Sequence, residues 1–133
     1  MTEGTITRQT ILEGSFELPR FNDLACEGKP YKYAYGVDLR DYQNPDDNRP
    51  LYKVNVDTGQ VALWSSRGCY AGEPIFVPAP KAKKEDEGVI LSVIFDMKRQ
   101  KSFLLVIDAK SFREIGRAEV SHEIPPGLHG RFF

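Results

Sequence analysis

The chain has 133 residues, is 41% hydrophobic and 28% charged, and carries a net charge of −1. That length bounds it to one domain with a modest core, and the near-neutral balance gives no electrostatic draw toward nucleic acid or anionic lipid. The longest apolar run, Val89 to Phe95, is strand-sized, short of the roughly 18 residues of a membrane span. The start, Met1-Thr2-Glu3-Gly4, lacks the basic head and apolar core of a signal peptide. Cys26 and Cys69 follow no metal or redox spacing and read as free thiols in a reducing compartment, so a cytoplasmic protein is predicted.

Helical signals are poor, and an all-β fold is predicted. Ile6 to Leu12 is a short alternating stretch, followed by Phe16-Glu17-Leu18-Pro19 and a loop through Arg20-Phe21-Asn22-Asp23. Tyr31 to Val37 alternates strictly, which predicts a strand with one face buried. Asp41 to Pro50 is a polar loop. Leu51 to Val56 and Gln60 to Trp64 are strands joined by Asp57-Thr58-Gly59, a turn with glycine where φ is positive. Then the pattern restarts. Glu73 to Pro78 is a short strand closed by prolines, and Lys81 to Glu87 is a charged, solvated loop. Gly88 to Asp96 and Ser102 to Ile107 are strongly apolar strands, central or buried on both faces, and Glu114 to Val120 is a more polar outer strand.

Each copy holds about four strands in roughly 50 residues, over 15–66 and 73–121, with a closing segment at 122–133. Four-stranded units at this period suggest propeller blades. Glu17 opens the first copy and Glu73 the second, 56 residues apart, and His129 follows Glu73 by another 56. In a propeller the first strand of each blade lines the central axis. The spacing therefore predicts three ligand-competent side chains converging there, as a metal site with supporting carboxylates requires. Chance also produces such intervals in a chain with 19 acidic residues. Two blades leave open edges and exposed apolar faces, so the chain reads as the carboxyl-terminal part of a larger ring.

Phe16-Glu17-Leu18-Pro19, Gly28 to Gly36, Gly72-Glu73-Pro74-Ile75-Phe76-Val77-Pro78, Glu85 to Val93 and Pro126-Gly127-Leu128-His129-Gly130 occur in the order seen at the carboxyl-terminal end of carotenoid cleavage oxygenases. The chain resembles that family from about residue 5 to residue 133. The resemblance implies a seven-bladed β-propeller, of which 1–133 forms about two blades. On its axis the family holds a non-haem Fe(II) with four histidines, three of them braced by glutamates. His129 matches the last iron ligand, and Glu17 and Glu73 match two bracing glutamates, expected as buried carboxylates. The other three histidines have no counterpart here. His122 is the one other histidine and reads as a strand-end surface residue. Leu18 and Phe132 flank the supposed axial residues and are expected to line a substrate tunnel.

The implied activity is a dioxygenase cleaving a carbon–carbon double bond of a carotenoid or apocarotenoid with O2. No catalytic residue beyond the metal site is expected, nor a nucleic-acid partner. Peripheral membrane contact belongs to the family's full-length members. The same resemblance leaves open retinoid ester isomerohydrolase activity in a full-length parent. With one of four iron histidines, an inactive remnant or fragment is the reading from a different class. An unrelated β-rich ligand-binding module is a third.

Overall fold

A computed structural model describes residues 6–40, 47–125 and 127–132. Part of the expected Asp41–Pro50 loop, together with Pro126, Phe133 and the first five residues, therefore lies outside the described residues. Two antiparallel sheets follow one another along the chain. The first is a meander of β1 (Glu17–Arg20), β2 (Tyr33–Val37), β3 (Leu51–Asn55) and β4 (Val61–Trp64), paired in that order. The second contains β5 (Cys69–Ala71), β6 (Ile75–Pro78), β7 (Gly88–Asp96), β8 (Lys101–Asp108) and β9 (Arg113–Glu119). Its order is β5-β7-β8-β9, with β6 also pairing with β7.

Gly59 takes φ 72 in the turn between β3 and β4, as the Asp57-Thr58-Gly59 motif requires. β9 is the polar outer strand expected for that stretch. The alternating stretch Ile6 to Leu12 forms no strand: Ile6 and Ile11 lie at the surface and its alternation marks no buried face. Two expectations are corrected. The loop after Arg20 contains a one-turn helix, α1 (Asp23–Cys26), whose cap residue Asn22 accepts from Ala25 N–H through its side chain. Finally, the second sheet begins at Cys69 rather than at Glu73. β5 and β6 act as one first strand broken at Gly72-Glu73-Pro74.

That break is a bulge. Four steps from Ala71 to Ile75 run against three from Ile94 to Leu91 on β7. The ladder survives at Gly72, whose N–H donates to Val93 O, and Ser92 Oγ donates to Gly72 O. Pro74 has no N–H to offer, so pairing stops there. β1 carries the same feature: three steps from Glu17 to Arg20 oppose two from Val37 to Tyr35, and Leu18 sits at φ 49. A bulge bends its strand and re-aims its side chains. Both inner strands are therefore bent beside their glutamates.

One core joins the sheets. Tyr35, Val37, Leu51 and Trp64 of the first pack with Phe76, Ile90, Ile94, Phe103, Leu105 and Ile107 of the second. Tyr35 is 1% exposed and stacks on Phe76 and Phe112, and burial pushes its phenol far above the ordinary tyrosine value. Polar bolts cross the same seam. Lys53 Nζ lies 2.9 Å from Asp86 Oδ2 and donates to the carbonyls of Ala109 and Lys110, with the Tyr33 ring at 4.2 Å. The Glu85 carboxylate accepts from the backbone N–H groups of Lys32 and Tyr33. Arg49 N–H donates to Cys69 O, and Ala71 N–H to Arg49 O. Apolar side chains are exposed on both sheets: Val61 and Leu63 on the first, Ile115 on the second.

Candidate functional site

The bulge at Gly72-Glu73-Pro74 lifts Glu73 out of the ladder but keeps it buried, at 9% exposure. The closing segment crosses in front of it. That segment leaves β9 and is pinned at Ser102, whose N–H donates to His122 O and whose hydroxyl accepts from Ile124 N–H. No described residue after Glu119 belongs to a strand. The segment then meets Glu73: His129 Nδ1 lies 3.0 Å from Glu73 Oε1, and Gly130 N–H donates to Glu73 Oε2 at 2.7 Å. Arg20, at the end of β1, closes the group, with Nε 2.9 Å from Glu73 Oε1 and Nη2 donating to Gly130 O at 2.5 Å.

The chemistry follows from the donor set. A carboxylate accepts only, so a neutral His129 facing it carries its proton on Nδ1. The Nε2 lone pair is then free to bind a cation, and the His129 side chain is 68% exposed, so that nitrogen is accessible. A carboxylate on the non-ligating nitrogen is what orients a metal-binding imidazole and raises its basicity. His129 and Glu73 thus fit one ligand and its brace. No group of three or more His, Cys, Asp or Glu side chains able to hold a metal occurs among the described residues.

Beside His129 opens a cleft of about 620 Å³ with largely apolar walls, among them Leu18, Ile75, Leu91, Val93, Leu128 and Phe132. Leu18 and Phe132 are thus brought to the same cleft as His129. Glu17 is not brought to the group. It is exposed at the start of β1, the edge strand of its sheet, and no described residue bonds its carboxylate. The burial expected of Glu17 depends on a histidine that this chain does not contain, and without it the carboxylate is exposed. His122 is exposed at the end of β9, its Nδ1 3.1 Å from the Ser121 hydroxyl. Sequence reasoning leaves Arg20 in a loop, because its partners lie 53 and 110 positions away and no local pattern signals them.

The described helix is one turn long, and none is long and apolar enough to cross a membrane. The family model for the retinal pigment epithelial membrane protein matches residues 1–133. A mitochondrial carotenoid-cleaving dioxygenase of Mustela putorius furo is 43% identical over 121 residues, covering 90% of this chain and 22% of that protein. A beta,beta-carotene 15,15'-dioxygenase of Gallus gallus is 43% identical over 123 residues, covering 92% and 23%. The chain therefore spans less than a quarter of the length of these curated relatives. Among solved structures, an ACO/RPE65 chimera superposes with TM-score 0.82 at 30% identity, over 96% of this chain and 27% of its own. Cobalt-substituted Synechocystis ACO superposes with TM-score 0.81 at 29% identity, over 94% and 26%. The two sheets therefore have the fold of the carotenoid oxygenase β-propeller. Together the matched family model, the named dioxygenases and the shared fold show that the chain belongs to the carotenoid oxygenase family of enzymes, that of the retinal pigment epithelial membrane protein.

Proposed function

We propose that this chain is the carboxyl-terminal part of a non-haem Fe(II)-dependent dioxygenase that splits a carbon–carbon double bond of a carotenoid or apocarotenoid. One double bond and one O2 give two carbonyl groups, so both oxygen atoms end in aldehyde or ketone products. The observation that carries the reading is the Glu73–His129 pair. An exposed imidazole is held by a buried carboxylate in the tautomer that leaves Nε2 free.

In this proposal His129 is one of several iron ligands, and Glu73 fixes its ring. Glu17 braces another ligand supplied from outside these residues. Iron, when bound, supplies the redox chemistry that brings O2 to the alkene. Leu18 and Phe132 form part of an apolar wall that orients the polyene and excludes water from the reacting bond. One structural relative is a cobalt-substituted protein, which supports a metal at the family's site. The apolar side chains exposed on both sheets support further blades on either side. We read the protein as cytoplasmic, with any membrane contact peripheral.

Metal analysis tests the assignment. The 133-residue chain with its single ligand binds no stoichiometric Fe(II). In the longer protein, His129→Ala abolishes activity and lowers iron content, whereas Glu73→Gln retains part of the iron and slows turnover about 10–100-fold. Wild-type turnover in His129→Ala, or one tightly bound iron per 133-residue chain, contradicts the proposal.

A further inference from the structure

We infer that Arg20 is a positioning residue for His129, a role that rests on His129 being a metal ligand. It acts by bracketing the peptide that follows the histidine.

Three contacts close a ring. Arg20 Nη2 donates to Gly130 O, Gly130 N–H donates to Glu73 Oε2, and Arg20 Nε faces Glu73 Oε1 at 2.9 Å. Both backbone polar groups of Gly130 are thereby held, one by each side chain of an ion pair. The Nε–Oε1 approach is charge contact rather than an aligned hydrogen bond, since the Nε hydrogen does not point at the oxygen. The aligned bond of this guanidinium goes to the tail.

The two ends of the bracket differ in rigidity. Arg20 pairs in register with Tyr35, a fully buried aromatic of the seam. Glu73 is buried in the bulge of the second sheet. His129, in contrast, lies in a segment without strand pairing, and its side chain is largely exposed. A ring so placed takes its orientation from whatever fixes its backbone. Glu73 alone holds the Nδ1 side and one N–H, and leaves the segment free to pivot about that carboxylate. The contact to Gly130 O supplies the second point. Arginine suits the task because its donors sit on separate atoms of a rigid plane and reach two acceptors at once, whereas a lysine offers one point charge.

The test uses the 133-residue chain without metal, so it stands or falls apart from the iron assignment, which metal analysis decides. Long-range ¹H–¹⁵N spectra at alkaline pH, where an ordinary imidazole is neutral, report which ring nitrogen of His129 carries the proton. Amide exchange reports the hold on Gly130. Wild type shows the Nδ1–H tautomer and a protected Gly130 amide. In Arg20→Met the Nε2–H form becomes populated and the Gly130 amide exchanges about tenfold faster, with the core amides unchanged. Arg20→Lys keeps the charge and lies nearer the Met variant than wild type. Wild-type tautomer and exchange in a folded Arg20→Met protein overturn the proposal, as does full rescue by lysine, which would mean that charge alone suffices. Should Arg20→Met lose the fold, the lysine comparison with wild type decides the question by itself.

Discussion

Glu17 opens the inner strand of the first sheet and Glu73 interrupts that of the second, 56 residues apart, each beside a one-residue bulge. One is exposed and no described residue bonds its carboxylate; the other is buried and receives His129, Gly130 and Arg20. The backbone device is the same, so the difference lies in what crosses in front of it. The closing segment passes over the second inner strand and brings a histidine with it. It touches the first only at its far end, where Gly130 O accepts from Arg20, and leaves Glu17 uncovered. A bulged inner strand thus makes a place for a carboxylate, and a second segment turns that place into a site.

The two sheets keep a fixed relation through their seam, and a change there breaks the contrast most severely. Lys53→Met leaves Asp86 buried without its cation and frees two carbonyls, of Ala109 and Lys110, that Lys53 now caps. Breaking one partner of a buried pair costs about 3–5 kcal/mol. Chemical denaturation should show a loss of that order, and adding Asp86→Asn should recover part of it. A loss below about 1 kcal/mol would mean that the apolar seam alone sets the sheet spacing.

The inner strands also differ in how tightly the next strand receives them. A Cβ on Gly88 would sit 2.3 Å from Val77 O, a backbone atom that cannot swing away, with Pro78 Cα at 3.0 Å. On Gly36 it would meet the Phe16 ring at 2.7 Å, the mobile end of a side chain near the surface. Gly88→Ala is expected to cost about 3 kcal/mol and Gly36→Ala about 1 kcal/mol, both measured as shifts in denaturation midpoint. Equal costs would show that the first inner strand is held as rigidly as the second.

Much of this architecture is legible in the chain, for physical reasons that can be named. Length, β-branched content and boundaries place β7 at 88–96: a strand-sized apolar run lies between a charged loop and a turn. Gly59 and the polar β9 follow from local chemistry in the same way. What escapes is either short or long-range. Cys69–Ala71 is three residues, too few to show alternation, and α1 is four. Lys53 sits two residues from Leu51 on a buried face, a pattern that flags a paired lysine but not its partner 33 residues away. Within the site, the equal spacing points to Glu73 and His129, and the structure joins them. The same spacing carries no information about burial, which for Glu17 depends on segments that its own strand does not contain. Arg20 is beyond reach, since a lone arginine after a proline is ordinary in any loop.

The smallest expected effects are the ones that bear most directly on the two glutamates. Glu73→Ala removes the acceptor of His129 and Gly130 and the charge partner of Arg20, leaving donors unmet in a partly buried setting. A lost buried acceptor of this kind costs about 1–3 kcal/mol. Because the donors sit on a segment outside the sheets, the cost should appear mainly as detachment of residues 121–132, read as faster amide exchange at Gly130 before global unfolding. Glu17→Ala deletes an exposed carboxylate at a strand edge and should change stability by no more than about 0.5 kcal/mol in this chain. In a longer protein in which Glu17 braces a histidine of its own, the same substitution should cost as much as Glu73→Ala. Running both substitutions in both contexts separates the two contributions: the bulge is common to all four proteins, and only the segment crossing it changes. A large effect of Glu17→Ala in the 133-residue chain would mean that its strand edge is already covered, and the contrast between the two inner strands would fail.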